Sequence, residues 1–158
     1  MNVRGPRTRL DALWSVVQAT LGGDPIVCQV FVLRYLLEAL EAGEFVPYYQ
    51  PVVDIRSGQL RGAEVLVRWR KSDGTLVLPG AFIPLMESSD LIDDLTRHLM
   101  RKACTEVGPA LGRRPDLRIS FNFAGKLFSE PSIVKDVRNI FVDSPIKFCQ
   151  VVLEVTER

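Results

Sequence analysis

The chain is poor in the residues that usually announce chemistry. Its 158 residues include one histidine, His98, and three cysteines, Cys28, Cys104 and Cys149. A lone histidine between Arg97 and Leu99 reads as a surface or half-buried helix residue, and no Ser-His-Asp or Cys-His arrangement is suggested. The cysteines are odd in number, far apart and without a CxxC pair, which excludes a zinc knuckle and a disulfide framework. They read as buried free thiols of a reducing cytoplasm. An excess of one charge is also missing. Twenty basic residues face 19 acidic ones, a net charge of +1, so there is no electrostatic footprint for a nucleic-acid polymer. Long apolar runs are absent too. The most apolar stretch, Ile26 to Leu40, is broken by Gln29, Arg34 and Glu38, whereas a membrane-spanning helix needs ~20 mostly apolar residues. Arg4, Arg7 and Arg9 are followed by no signal-peptide core or cleavage site. A cytoplasmic chain without a membrane span is expected, with an anchor upstream in a longer parent left open. There is no internal repeat and no low-complexity segment.

What is present suits a folded α/β domain. A hydrophobic fraction of 47% against 25% charged residues can build a core, and the length favours one domain. Residues 1–9 read as a flexible arm. Leu10, Leu13, Trp14, Val17 and Leu21 recur at helical spacing, and Gly22-Gly23-Asp24-Pro25 ends that helix. A second helix is expected from about Val27 to Ala42, closed by Gly43. Residues 1–43 thus form a helical N-terminal segment, and 44–158 the main domain. The run 45–53 is aromatic and β-branched, hence a strand, and Pro47 and Pro51 place it at an edge for part of its length. Arg56-Ser57-Gly58-Gln59 is a turn, and 60–69 is the next strand. So short a connection cannot cross over a sheet, so these two strands must be antiparallel. After Leu78-Pro79-Gly80 come a helical stretch near Pro84 and a long helix from about Leu91 to Val107. A strand over 117–122, a helix over 132–142 and a strand over 150–155 follow. Strand, helix, strand, helix, strand is the grammar of a parallel α/β sheet.

The stretch Arg61-Gly-Ala-Glu-Val-Leu-Val-Arg-Trp69 carries the most information. Alternation along a strand puts Glu64, Leu66 and Arg68 on one face, about 7 Å apart in steps of two, with Ala63, Val65, Val67 and Trp69 on the other. That face can hold a metal with Glu64 and a phosphate with Arg68. Taken alone, the pair could equally be an ion pair on one face. Asn122 and Glu154 fall at the C-terminal ends of their strands, where parallel α/β folds put their chemistry. Asn122 could also simply cap a strand-to-helix loop. Glu157 reads as a supporting or solvated residue. Asp93-Asp94 reads as acidity at a helix N-terminus.

Five motifs then occur in order: Tyr48-Tyr49-Gln50-Pro51, Gly62-Ala63-Glu64-Val65-Leu66-Val67-Arg68-Trp69, Phe82-Ile83-Pro84-Leu85, Phe121-Asn122-Phe123 and Leu153-Glu154-Val155-Thr156-Glu157. From about residue 36 to 158 the chain resembles the first half of an EAL-type cyclic-di-GMP phosphodiesterase domain. The resemblance implies a modified TIM (β/α)8 barrel whose first strand is antiparallel, here partial and truncated after the fourth strand. It implies hydrolysis of cyclic di-GMP to linear pGpG with two divalent cations, Mg2+ or Mn2+. Glu64, Asn122 and Glu154 match metal ligands of that family. Arg68 matches a residue that contacts a substrate phosphate, and Leu66 and Gln50 match positions lining the substrate cleft. Hard divalent cations prefer such oxygen ligands.

The family name motif Glu-Ala-Leu is Glu64-Val65-Leu66 here, and Asn-Leu-Ser is Asn122-Phe123-Ala124. The first change should affect packing, because Val65 faces away from Glu64. The second keeps the amide and loses a hydroxyl. The family's later Asp-Asp-Phe-Gly-Thr-Gly segment, with its aspartates, a lysine and a glutamate, does not occur. The chain is therefore expected to be inactive alone. The alternative is a degenerate module that binds cyclic di-GMP or a protein partner, a second copy included, without hydrolysis.

Overall fold

The computed structural model describes residues 25–124 and 132–156; the helix expected over 10–21 and Glu157 lie outside them. Helix α1 (Pro25–Glu41) opens the described chain. Cys28, Val32, Leu36, Ala39 and Leu40 recur on one face at three- and four-residue steps and are all buried. The helix stops at Gly43, whose φ of 72° is open to glycine at no steric cost. Gly43 N–H donates to Leu40 O and Glu44 N–H to Ala39 O, each at 3.0 Å, the paired bonds of a Schellman ending.

Strands β1 (Phe45–Val53) and β2 (Leu60–Arg70) pair antiparallel, as the short connection requires. Asp54 organises their turn. Its Oδ1 accepts from the backbone N–H of Arg56 and Ser57 and from Ser57 Oγ. These bonds, Ser57 N–H first, hold the Asp54 carboxyl below its ordinary pKa. A two-residue strand, β3 (Leu76–Val77), pairs with the end of β2 after a turn at Gly74. Nothing in the sequence pattern isolates so short a strand.

Two helices follow, α2 (Ile83–Glu87) and α3 (Leu91–Glu106), then the short α4 (Gly108–Gly112). Strand β4 (Arg118–Ala124) runs parallel to β2, and after α5 (Ser132–Phe141) strand β5 (Val151–Thr156) runs parallel to β4. The sheet order is β1-β2-β4-β5, with β3 attached to β2. β1 is thus terminal among the described strands, which suits its two prolines. This is one antiparallel strand followed by parallel β/α units, a part of a TIM-like barrel.

The core lies between the sheet and the helices. Val65, Val67 and Trp69 of β2 and Ile119, Phe121 and Phe123 of β4 are at most 9% exposed and meet Leu95, Leu99 and Ala103 of α3. Tyr35, Phe45, Trp69 and Phe82 form an aromatic cluster with ring centroids 5.1–5.9 Å apart. Trp69 Nε1 donates to Glu44 at 2.8 Å, so the one polar atom of the cluster's largest ring is satisfied. The cysteine expectation needs correction. Cys28 is buried, but Cys104 is half-buried and Cys149 exposed. Cys149 sits in the turn before β5, where Gln150 takes the inward position instead.

Gln150 is 1% exposed. Its Nε2 lies 3.0–3.1 Å from the carbonyls of Leu111, Arg114 and Leu117, and its Oε1 accepts from Lys147 N–H. One amide therefore closes the end of α4 and the entry to β4. Gln150→Ala is expected to cost about 3 kcal/mol, because the carbonyls lose their donor in a site sealed from water. Urea unfolding measures this, and a loss within about 0.5 kcal/mol of zero, the range of neutral surface changes, would refute the role.

Helix α3 also fastens β1. His98 Nε2–H donates to Phe45 O at 2.9 Å, Lys102 Nζ to Gly43 O at 3.3 Å, and Tyr49 OH to Glu106 Oε2 at 2.8 Å. His98, Lys102 and Glu106 are four residues apart, one turn each on the same helix side. Burial and the Glu106 carboxylate push the Tyr49 phenol well above its ordinary value, so it stays a donor. Burial, then the charges of Lys102 and Arg101, outweigh the bond to Phe45 and hold the His98 pKa below its usual value. A depressed histidine favours the fold when neutral. Its contribution is present above the unfolded pKa of about 6.5 and is lost as pH falls through the folded value. The urea midpoint should therefore drop between pH 7.5 and 5.5 more steeply in wild type than in His98→Gln, which keeps the donor without the titration.

Candidate functional site: an acidic and basic face at the strand ends

Alternation along β2 behaves as the sequence suggests. Val65, Val67 and Trp69 are buried under the helices, while Glu64, Leu66 and Arg68 are half-buried on the opposite face. Valine in place of alanine at 65 therefore points into the helix side. Strand pairing assembles the rest of the site face. Gln50 stands directly opposite Glu64, Tyr48 opposite Leu66 and Val46 opposite Arg68. In the parallel half, Glu64 is paired with Ser120, two residues before Asn122 on the same face. Asn122 is in turn paired with Glu154 of β5. Glu64, Asn122 and Glu154 thus come from three adjacent strands and share one face.

Backbone pairing between β2 and β4 ends at Val65↔Phe121, and β3 occupies that side of β2 from Trp69. The strands diverge above this point. Asn122 bridges the gap with its side chain: Nδ2 donates to Glu64 Oε1 at 2.7 Å. An amide that donates through nitrogen keeps its oxygen as an acceptor, so the pair offers carboxylate and amide oxygens side by side. Glu154 stands next to Asn122 by register and is exposed. Among the described residues no three His, Cys, Asp or Glu side chains cluster as a metal site.

Arg68 does not pair with Glu64. Its guanidinium lies over the Tyr48 ring, 5.6 Å from the centroid, and Nη1 donates to Val67 O at 2.8 Å. The same-face ion pair is therefore not formed, and each charged group is left to face other partners. Tyr48 carried no role in the sequence reading. Alternation with Gln50 was the signal that could have found it.

A cavity of about 230 Å3 lies on the other side of the sheet, lined by Val65, Val67, Leu95, Leu99, Phe121 and Phe123, with Leu66 and Asn122 also contributing. It is mostly apolar and lies where β2 and β4 diverge, with Glu87 and Thr96 also at its wall. Glu64 and Glu154 do not line it. His98 is structural, as described. Asp94 pairs with Arg97, which also binds Asp136 of α5 at 2.8 Å, while Asp93 is buried.

The described chain is thus a part-barrel with an antiparallel first strand that brings carboxylate, amide and guanidinium groups to one face of the sheet. The EAL domain family matches residues 33–158, and the chain belongs to that family. It is 40% identical over 124 residues to the protein named "Probable cyclic di-GMP phosphodiesterase PdeG" of Escherichia coli K12, covering 78% of this chain and 24% of that protein. It superposes on the PaMucR phosphodiesterase in complex with c-di-GMP with a TM-score of 0.72 and 33% identity, covering 79% of this chain and 51% of that one. The EAL enzyme Bd1971, at 22% identity, shares the fold over 98% of this chain and 45% of its own, with a TM-score of 0.75. The chain thus spans about a quarter of PdeG and half of the PaMucR structure. Among the described residues no helix is long and apolar enough to cross a membrane.

Proposed function

We propose that the chain forms the first part of a cyclic-di-GMP phosphodiesterase cleft, with Glu64, Asn122 and Glu154 as oxygen ligands and Arg68, Leu66 and Gln50 facing the dinucleotide. The observation that carries this is the Asn122–Glu64 bond at 2.7 Å, which joins two oxygen-bearing groups from different strands where the β2–β4 pairing ends. The EAL phosphodiesterase family is in general divalent-metal dependent. The donor set fits a hard cation such as Mg2+ or Mn2+, which prefers carboxylate and amide oxygens. Such a cation, when bound, supplies charge that polarises the phosphoryl group.

The chain's own residues do the remaining work. Arg68, unpaired with any carboxylate among the described residues, offers N–H donors to nonbridging phosphate oxygens. Leu66, half-buried between Glu64 and Arg68 on β2, supplies an apolar contact. Gln50 places an amide opposite Glu64, from the neighbouring strand. Water and substrate oxygens can complete the shell of one cation held by these three side chains, but a two-cation phosphoryl clamp needs further ligands that the three do not supply. Binding without turnover is therefore the expected behaviour of this chain. That same shortage favours a second reading, a cyclic-di-GMP receptor that never hydrolyses.

Calorimetric titration with cyclic di-GMP, with and without Mn2+, tests the proposal. Binding that strengthens with Mn2+ and is strongly weakened, though still measurable, in Arg68→Ala is expected. Binding indifferent to both Mn2+ and Arg68 would overturn it. Metal-stimulated release of pGpG from this chain would overturn the claim of binding without turnover.

A further inference from the structure

We propose that Tyr48 is a positioning residue that aims Arg68 at the substrate phosphate, an inference that rests on the cleft assigned above. Tyr48 and Arg68 lie on neighbouring strands of one face, Tyr48 opposite Leu66 and Arg68 two residues further along β2. The 5.6 Å between guanidinium and ring centroid is within the range of an attractive cation–π contact. Arginine has a long, rotamer-rich side chain, and ordering it for ligand costs free energy unless it is already held. Two contacts hold it here. The guanidinium lies over the Tyr48 ring, and Val67 O takes one N–H through Nη1. Neither contact neutralises the charge, and no carboxylate among the described residues forms an ion pair with it. Remaining N–H groups stay available to an anion. A carboxylate partner would have held the side chain as firmly but would have competed with phosphate. An aromatic ring restrains it without that competition.

Tyr48 is 39% exposed, so its ring is not locked in the core, and its loss should leave the fold standing. The part of the residue that matters is the ring. Tyr48→Phe should therefore behave nearly as wild type, whereas Tyr48→Leu keeps an apolar side chain and loses the π face.

Two measurements on the full chain decide this. In the unliganded protein, the Arg68 Nε–H resonance should show a ring-current shift in wild type and Tyr48→Phe that disappears in Tyr48→Leu. In calorimetry with cyclic di-GMP and Mn2+, Tyr48→Leu should bind about fivefold to tenfold more weakly, with Tyr48→Phe recovering most of the loss. In an Arg68→Ala background, Tyr48→Leu should add nothing. Equal affinity of Tyr48→Leu and wild type would overturn the inference while leaving the cleft assignment intact. So would a loss that persists in the Arg68→Ala background, since Tyr48 would then touch ligand itself. If Arg68→Ala binds as wild type does, the cleft assignment fails, and this inference with it.

Discussion

Glu64→Ala is expected to abolish the manganese-dependent part of cyclic-di-GMP affinity. Even residues that only orient a metal ligand cost about 10–100-fold in metal affinity or activity when replaced, so a ligand should cost more than about a hundredfold. Asn122 is a proposed ligand and is also the donor that holds Glu64 at 2.7 Å. Its alanine variant should approach the same loss. Asn122→Asp is more informative. It replaces the donor with a second carboxylate at hydrogen-bond distance from the first, and two like charges that close disfavour joint ionisation. The variant should be less stable than wild type at pH 7 without cations, and Mn2+ should remove the difference. Thermal unfolding with and without Mn2+ checks this. A variant whose stability ignores the cation would remove Glu64 and Asn122 from any metal site.

Gly62→Ala should be among the most damaging single changes in the sheet. A Cβ at Gly62 would collide with the Arg118 carbonyl group and sit 3.1 Å from the Arg118 amide nitrogen. The obstacle is backbone, which cannot swing aside as a side chain does. Overpacking typically costs 1–3 kcal/mol; with no rotamer to relieve it, about 3 kcal/mol or more is expected here. Gly62↔Arg118 is also the first pair of the β2–β4 ladder. Displacing it shifts the register that places Glu64 beside Ser120 and within reach of Asn122. Urea unfolding should show the destabilisation, and the folded fraction should bind cyclic di-GMP less well. A stability change under about 1 kcal/mol would show that β4 moves aside easily.

Much of the fold is legible in the sequence because it is written in local periodicity. The alternation from Ala63 to Trp69 sorts the two faces of β2 correctly, and the short link at 54–59 dictates an antiparallel hairpin. The Gly43 stop and the helix over 91–106 follow from spacing alone. What is not legible is nonlocal. Leu76–Val77 becomes a strand only because β4 leaves that side of β2 free. Gln150 reads as the start of a strand, yet its side chain is consumed by three carbonyls 33–39 residues away. At the candidate site, Glu64, Leu66 and Arg68 can be placed on one face from β2 by itself. That Asn122 touches Glu64, and that Arg68 turns to Tyr48 rather than to Glu64, depends on register between strands. One strand cannot encode that.

The grip of α3 on β1 has a consequence for exchange experiments. Phe45 and Gly43 are held through their carbonyls and Tyr49 through its hydroxyl, all by one side of a helix. Slippage of α3 by one turn would release all three anchors at once, leaving the segment that carries Tyr48 and Gln50 held only by its ladder with β2, while β2 stays paired with β4. Amide deuteration should therefore reveal the 45–50 stretch opening as one cooperative unit, ahead of the parallel strands.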